Sequence, residues 1–194
     1  MRAILGAPAP VGYSQATPAD SDSSLWLKRC LVALGLPSSS SLDAYLEEAW
    51  RPQVGIRTYA TPLAVAAFIQ RPASALNGWC SPHDCVLANL AASHELPEAT
   101  QALTLLRGRL ELNQFRSYWW PLDGLMLSLL PRGALPRFAV ERVIAQQLSP
   151  AVRAQMPPDR AEGLLIFSRS LMQLVHGTSE EQQTALAKMD HLLI

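Results

Sequence analysis

The chain is 194 residues long, enough for one domain with its own core and short for two. Hydrophobic residues make up 49% and charged residues 16%, a ratio that excludes disorder throughout. Lys plus Arg equals Asp plus Glu at 16 each, so no net field draws a nucleic-acid backbone or an anionic membrane surface, and nucleic acid is not an expected partner.

Residues 1–23 carry Ala, Pro, Gly, Ser and Asp without periodicity and read as a flexible N-terminal arm, leaving 24–194 as a single all-helical domain. The apolar stretch of Met1–Pro10 is broken by Pro8 and Pro10, too short for a signal-peptide core. No run approaches the roughly 18 to 20 apolar residues that span a bilayer. Cys30, Cys80 and Cys85 have no framework spacing and imply a reducing compartment, so a cytoplasmic protein is expected.

From Leu25 the apolar residues recur at helical spacing. Leu25, Trp26, Cys30, Leu31 and Leu34 form one segment, closed by Gly35 and Pro37. A serine run then caps a segment from Leu42 to Trp50 that stops at Pro52, completing a helical hairpin. Thr61-Pro62, Ser81-Pro82 and Trp120-Pro121 each open a further apolar segment with proline at the first helical position, where its missing N–H costs nothing. Glu95 to Pro97 separates two more. Later helices are expected over Pro136–Leu148, Asp159–His176 and Ser179–Leu193, the last amphipathic. No sustained alternation predicts strands, so the fold class is all-α.

An internal echo runs through this pattern. Arg57-Thr58-Tyr59-Ala60-Thr61-Pro62-Leu63 matches Arg116-Ser117-Tyr118-Trp119-Trp120-Pro121-Leu122 at an offset of 116 − 57 = 59 residues. Each copy follows a turn-like segment and precedes a helix, as in a repeated hairpin whose units bury their faces against one another.

Three places resemble the terpenoid cyclase and protein prenyltransferase superfamily, especially its small bacterial repeat proteins. Gly55-Ile56-Arg57-Thr58-Tyr59 looks like the turn before an inner helix. Gly78-Trp79-Cys80-Ser81-Pro82-His83-Asp84-Cys85-Val86-Leu87-Ala88-Asn89 resembles the helix start that follows a tryptophan in those repeats. Phe115-Arg116-Ser117-Tyr118-Trp119-Trp120 resembles their aromatic turn. The resemblance implies helical-hairpin repeats arranged as a partial or shortened α/α toroid around an apolar cavity. A shortened ring leaves the faces of its end hairpins uncovered, and a homodimer is expected for that reason. Neither the Asp-x-Asp-Asp cluster of protonating cyclases nor an aspartate-rich diphosphate motif is present.

The densest reactive cluster is Cys80, His83, Asp84 and Cys85. At a helix start, N–H donors favour anions and lower thiol pKa values, while His83 can exchange a proton near neutral pH. The same residues also make a cap, with Ser81 accepting, Pro82 first and Asp84 third. Asp123 follows Pro121 as Asp84 follows Pro82, so it too is either a helix-start residue or a proton donor. Read as zinc ligands, Cys80, His83 and Cys85 lack finger spacing and a further ligand pair, so no metal is assigned and the cofactor stays unknown.

Tyr59, Trp79, Tyr118, Trp119 and Trp120, with Trp50, either line a cavity whose ring faces stabilise positive charge or anchor the hairpin turns. Arg57 and Arg116 either clamp a diphosphate or carboxylate or tie down their own turns. His94, His176 and His191 stand near helix C-termini, where positive charge is favoured. Phosphate-loop, hydrolase-elbow and zinc-protease motifs are absent. The expected function is an enzyme or tailoring protein that holds an apolar, isoprenoid-like small molecule and acts on it by acid-base chemistry, with His83, Asp84 and Asp123 handling protons. The alternative is a non-catalytic helical scaffold that binds a protein or small ligand.

Overall fold

The computed structural model describes residues 9–76, 78–115, 117–118 and 120–190. The chain forms two compact units, Met1–Leu105 and Leu106–Ile194, each built almost wholly of helices.

In the first unit, α1 (Ser21–Ala33) begins because the Asp20 carboxylate accepts from the Ser23 N–H at 2.7 Å. Residues 21–23, read from sequence as the end of an arm, are therefore its first turn. The preceding segment is also tied down. Val11 exchanges two hydrogen bonds with the Ser24 hydroxyl, and Tyr45 donates to the Ala19 carbonyl at 2.6 Å. Helix α2 (Ser40–Ala49) starts at Ser39, whose hydroxyl accepts from the Leu42 N–H, and packs on α1 as the expected hairpin. Its polar edge carries a Lys28–Asp43 pair at 2.6 Å.

A two-residue antiparallel ladder follows, β1 (Trp50–Arg51) and β2 (Gly55–Ile56), with Trp50 opposite Ile56. Gly55 turns it at φ 105°, a conformation that favours glycine. Helix α3 (Pro62–Ile69) has its proline in the first turn, as expected. Helix α4 (Asp84–Ala92) starts later than Ser81-Pro82 predicts. Pro82 instead forms a bridge with Arg57, which holds 81–83 extended, and His83 becomes the N-cap without a side-chain cap bond. All of α4 is buried, and it packs on α1 and β2.

Helix α5 (Ala99–Glu111) carries the chain out of the first unit. The second unit contains α6 (Gly124–Leu127), α7 (Arg137–Ile144), α8 (Pro150–Arg153), α9 (Pro158–His176) and α10 (Ser179–Asp190). Helix α9 is its spine, packed by α6, α7 and α10. Leu122, Leu148, Ala161 and Leu165 form one buried cluster there. The apolar segment expected to open at Pro121 gives only the single turn of α6, and α8 was not anticipated. His191 and the C-terminal residues lie outside the described residues. Among the described residues, no helix is long and apolar enough to cross a membrane.

Close packing of α6 on α9 depends on Gly124. A Cβ there would stand 2.6 Å from the Ser168 hydroxyl and 3.0 Å from the Met172 side chain, whereas a Cβ on Gly108 in α5 would meet nothing within 4 Å. Gly124→Ala is expected to cost about 1–3 kcal/mol by overpacking. Gly108→Ala should be neutral or stabilise by about 0.5–1 kcal/mol through helix propensity. Urea unfolding of the two variants checks the pair, and equal stabilities would show that α6 yields freely.

Candidate functional site

Thr58 joins Ser21, Ser81 and His83 in the first unit. It is buried, its carbonyl accepts from the Ser21 N–H at 2.7 Å, and its own N–H donates to the Ser81 carbonyl at 3.4 Å. Its hydroxyl lies 2.6 Å from His83 Nδ1. Burial pushes the His83 imidazole below its ordinary value, against a hydrogen bond to the Gly78 backbone. The ring is therefore held neutral at neutral pH. Asp84 is the first residue of α4 and is buried beside it in sequence, as is Cys85.

The Cys80 thiol is pushed up by burial, with the Arg57 charge opposing. This corrects the expectation of a helix start that lowers thiol pKa values. Tyr59 stacks obliquely on Trp79, ring centroids 6.2 Å apart, and burial with the nearby Asp20 charge pushes its hydroxyl up to about 12. Arg57 donates to the Glu48 carbonyl at 3.1 Å, so it ties a turn. Among the described residues, no three His, Cys, Asp or Glu side chains are grouped to hold a metal ion.

Of the residues singled out from sequence, the fold gathers Arg57, Tyr59, Trp79, His83 and Asp84 in the first unit. Asp123, Tyr118 and Trp120 belong to the second. Asp123 accepts from the Ser117 N–H at 3.1 Å and from the Gln146 amide at 3.2 Å, and its own N–H donates back to Gln146 at 2.9 Å. Those bonds make it the brace of its turn. Tyr118 is 52% exposed and Trp120 39% exposed, so neither is buried packing in this unit. Arg116 and Trp119 lie outside the described residues.

The most unusual acids of the first unit were not singled out from sequence. Asp20 is 5% exposed and accepts from the Ser23 N–H and hydroxyl at 2.7 and 2.9 Å. Asp22, two residues further along, accepts at 2.8 Å from the Asn89 amide, which also reaches the Asp22 carbonyl at 3.2 Å. Asn89 is 0% exposed on α4, and its oxygen accepts from Arg29 at 3.3 Å. Arg29 in turn lies 4.6 Å over the Trp26 ring.

Burial raises both carboxyls above the ordinary value of 3.8. The Ser23 bonds oppose this at Asp20, and the Asn89 bond opposes it at Asp22, where the Asp20 charge adds to the rise. At Asp22 burial and the Asp20 charge both favour the protonated form, while the amide donor on Oδ1 steadies the carboxylate. Asp22 is partly exposed, and its Oδ2 makes no hydrogen bond among the described residues. A carboxyl so placed has one oxygen held and one able to exchange a proton. The signal available in sequence was Asp20-Ser21-Asp22 directly before the apolar period, which is the pattern of a helix cap and an acidic first turn.

No family model matches this chain, and no curated protein matches it. Solved structures do. The type II terpene cyclase MstE from Scytonema, in its apo form, is similar at a TM-score of 0.62 and 21% identity, covering 95% of this chain and 56% of that one. A variant of MstE in complex with geranylgeranyl dihydroxybenzoate, its substrate, gives 0.64 at 22% identity, with 95% and 57% covered. Another, in complex with its product merosterolic acid A, also gives 0.64 at 22% identity over the same shares. The chain thus has a terpenoid-cyclase-like all-α fold, and it spans a little over half the length of those cyclase chains.

Asp22→Asn keeps an acceptor for Asn89 and removes the charge. A carboxyl whose folded value is raised costs nothing below 3.8 and destabilises the fold progressively as pH climbs through its folded value. The variant is therefore expected to melt above the parent at pH 8, with the gap closing below pH 3.8. Thermal melts across pH read this directly. A variant that melts lower at pH 8 would make Asp22 an ordinary charged residue of a helix first turn.

Proposed function

We propose that this chain carries the proton donor of a protonation-initiated terpenoid cyclase, with Asp22 as the general acid and an apolar prenyl chain as the substrate. The observation that carries the reading is the Asp22 carboxyl itself. Burial and the Asp20 charge raise it above its ordinary value, Asn89 holds its Oδ1, and its Oδ2 is unbonded among the described residues. The shared fold supports it, since MstE is a type II terpene cyclase whose structures contain a prenylated substrate and its product.

Asp20-Ser21-Asp22-Ser23 has the Asp-x-Asp spacing of the protonating cyclases' acidic cluster, with Ser23 in place of the last acid. In the proposed step the Oδ2 proton passes to one alkene carbon, the alkene electrons form the new C–H bond, and the adjacent carbon becomes cationic. The next alkene attacks that carbon to close a ring. Loss of a proton ends the sequence, and His83, held neutral by burial, is the candidate acceptor. Tyr59 and Trp79 offer ring faces to the intervening cation. Asp84 and Asp123, at the starts of α4 and α6, are assigned to positioning.

A homodimer also belongs to this proposal, its contact formed by apolar groups exposed in the second unit. Phe138, Phe167 and Leu186 are exposed apolar groups in the second unit that such a contact would cover. Light scattering at micromolar concentration should return twice the 21.2 kDa of one chain, and a monomer would remove the dimer from the proposal. The free thiols Cys30, Cys80 and Cys85 fit a cytoplasmic setting.

The chemistry is tested by incubating the protein with geranylgeranyl dihydroxybenzoate or geranylgeraniol in D2O, with native mass spectrometry of the same samples. A cyclised product carrying one deuterium is expected from the parent. Asp22→Asn should retain the substrate and turn over at least about 100-fold more slowly. Binding with no turnover by the parent would favour the non-catalytic scaffold, and equal turnover by the variant would remove Asp22 from the role.

A further inference from the structure

A cleft of about 810 Å³ opens in the second unit between the C-terminal end of α7, α9 and α10. Ile166, Arg169, Ser170 and Gln173 line it at successive positions i, i+3, i+4 and i+7, so they form one face of α9. A helix packed on three sides would ordinarily turn apolar groups along such a face. This one presents hydrogen-bond donors instead. Ser170 is 1% exposed, yet its hydroxyl has no hydrogen-bond partner among the described residues. The same holds for the buried Nε of Arg169, whose Nη2 is anchored on the Gln146 carbonyl at 3.3 Å.

Buried donors left unpaired are unfavourable, and an acceptor brought by a ligand relieves them. Among the described residues the lining contains two cations, Arg169 and Lys188, and no carboxylate. A ligand that complements this set is acceptor-rich and anionic. Ile144 and Ile166 add an apolar wall, and the volume falls in the range of small-molecule sites.

We propose that this cleft is a binding site for an organic anion with a hydrocarbon body, its carboxylate or phosphate oxygens on Arg169, Ser170 and Lys188 and its chain along Ile144 and Ile166. The site stands on its own observations and does not depend on Asp22. Because it is assembled entirely within the second unit, loss of activity in an Asp22 variant leaves it unchanged.

Calorimetric titration with octanoate, octyl phosphate, octanol, acetate and inorganic phosphate tests it. One equivalent of octanoate or octyl phosphate is expected to bind at least tenfold more tightly than octanol and than the matching short anion. The tighter of the two octyl anions identifies the headgroup as carboxylate or phosphate. Lys188→Met, at an exposed position on α10, should weaken the anion tenfold or more. Ser170→Ala should also weaken it while raising the melting temperature of the unliganded protein, since it removes an unpaired hydroxyl. Octanol binding as tightly as both octyl anions, acetate and phosphate matching their octyl forms, or unchanged affinity in Lys188→Met would each overturn the proposal. If Arg169→Gln fails to fold, the Lys188 and Ser170 variants still decide the question.

Discussion

A single buried amide sets the geometry of the first unit. Asn89 sits on a helix whose every residue is buried, so its donors and acceptor must be satisfied inside the protein. Asp22 takes the N–H groups and Arg29 supplies the acceptor's partner, both from α1. Helix α1 is thereby fixed against α4 in rotation as well as position. The first turn of α1 cannot swing out to water without stranding that amide, and this keeps Asp20 buried and Asp22 half-buried.

Thr58 extends the same constraint. Its carbonyl holds the Ser21 N–H, its N–H holds Ser81 and its hydroxyl meets His83. The acidic corner and the imidazole therefore belong to one hydrogen-bonded framework, in which removal of any member leaves another polar group unpaired. Low polarity does opposite things to its two ends. It raises the carboxyls and the Tyr45 and Tyr59 hydroxyls, and it lowers His83, so each group is pushed toward its neutral form.

The second unit follows a different logic. Helix α9 makes most of its contacts, with Gly124 allowing α6 to approach and Gln146 bracing Asp123 on one side and Arg169 on the other. Polar groups here hold turns in place, and the donors left over line a cleft. Tyr59 and Tyr118 occupy equivalent places in the sequence echo but differ in burial, the first enclosed and the second exposed. Equivalent spacing therefore did not carry equivalent surroundings.

Local pattern was enough for much of the fold. The helical periods of α1, α2, α3, α9 and α10, the proline start of α3 and the absence of extended alternation were all legible, because they depend on residues within a few turns of one another. The resemblance carried in Gly78 to Asn89 likewise pointed to the fold that MstE shares. The start of α4 was misread, since an isolated pairing of Pro82 with Arg57 overrode the local cap signal. Which acids matter was not legible. Asp20 and Asp22 looked like the end of a loose polar arm, and Asn89 like one more helix residue. Burial and pKa depend on what the rest of the chain brings alongside, and the Asp22–Asn89 bond joins residues 67 apart in sequence. The sequence by itself determined the elements and their class, whereas only the tertiary structure decided which of its carboxyls are withdrawn from water.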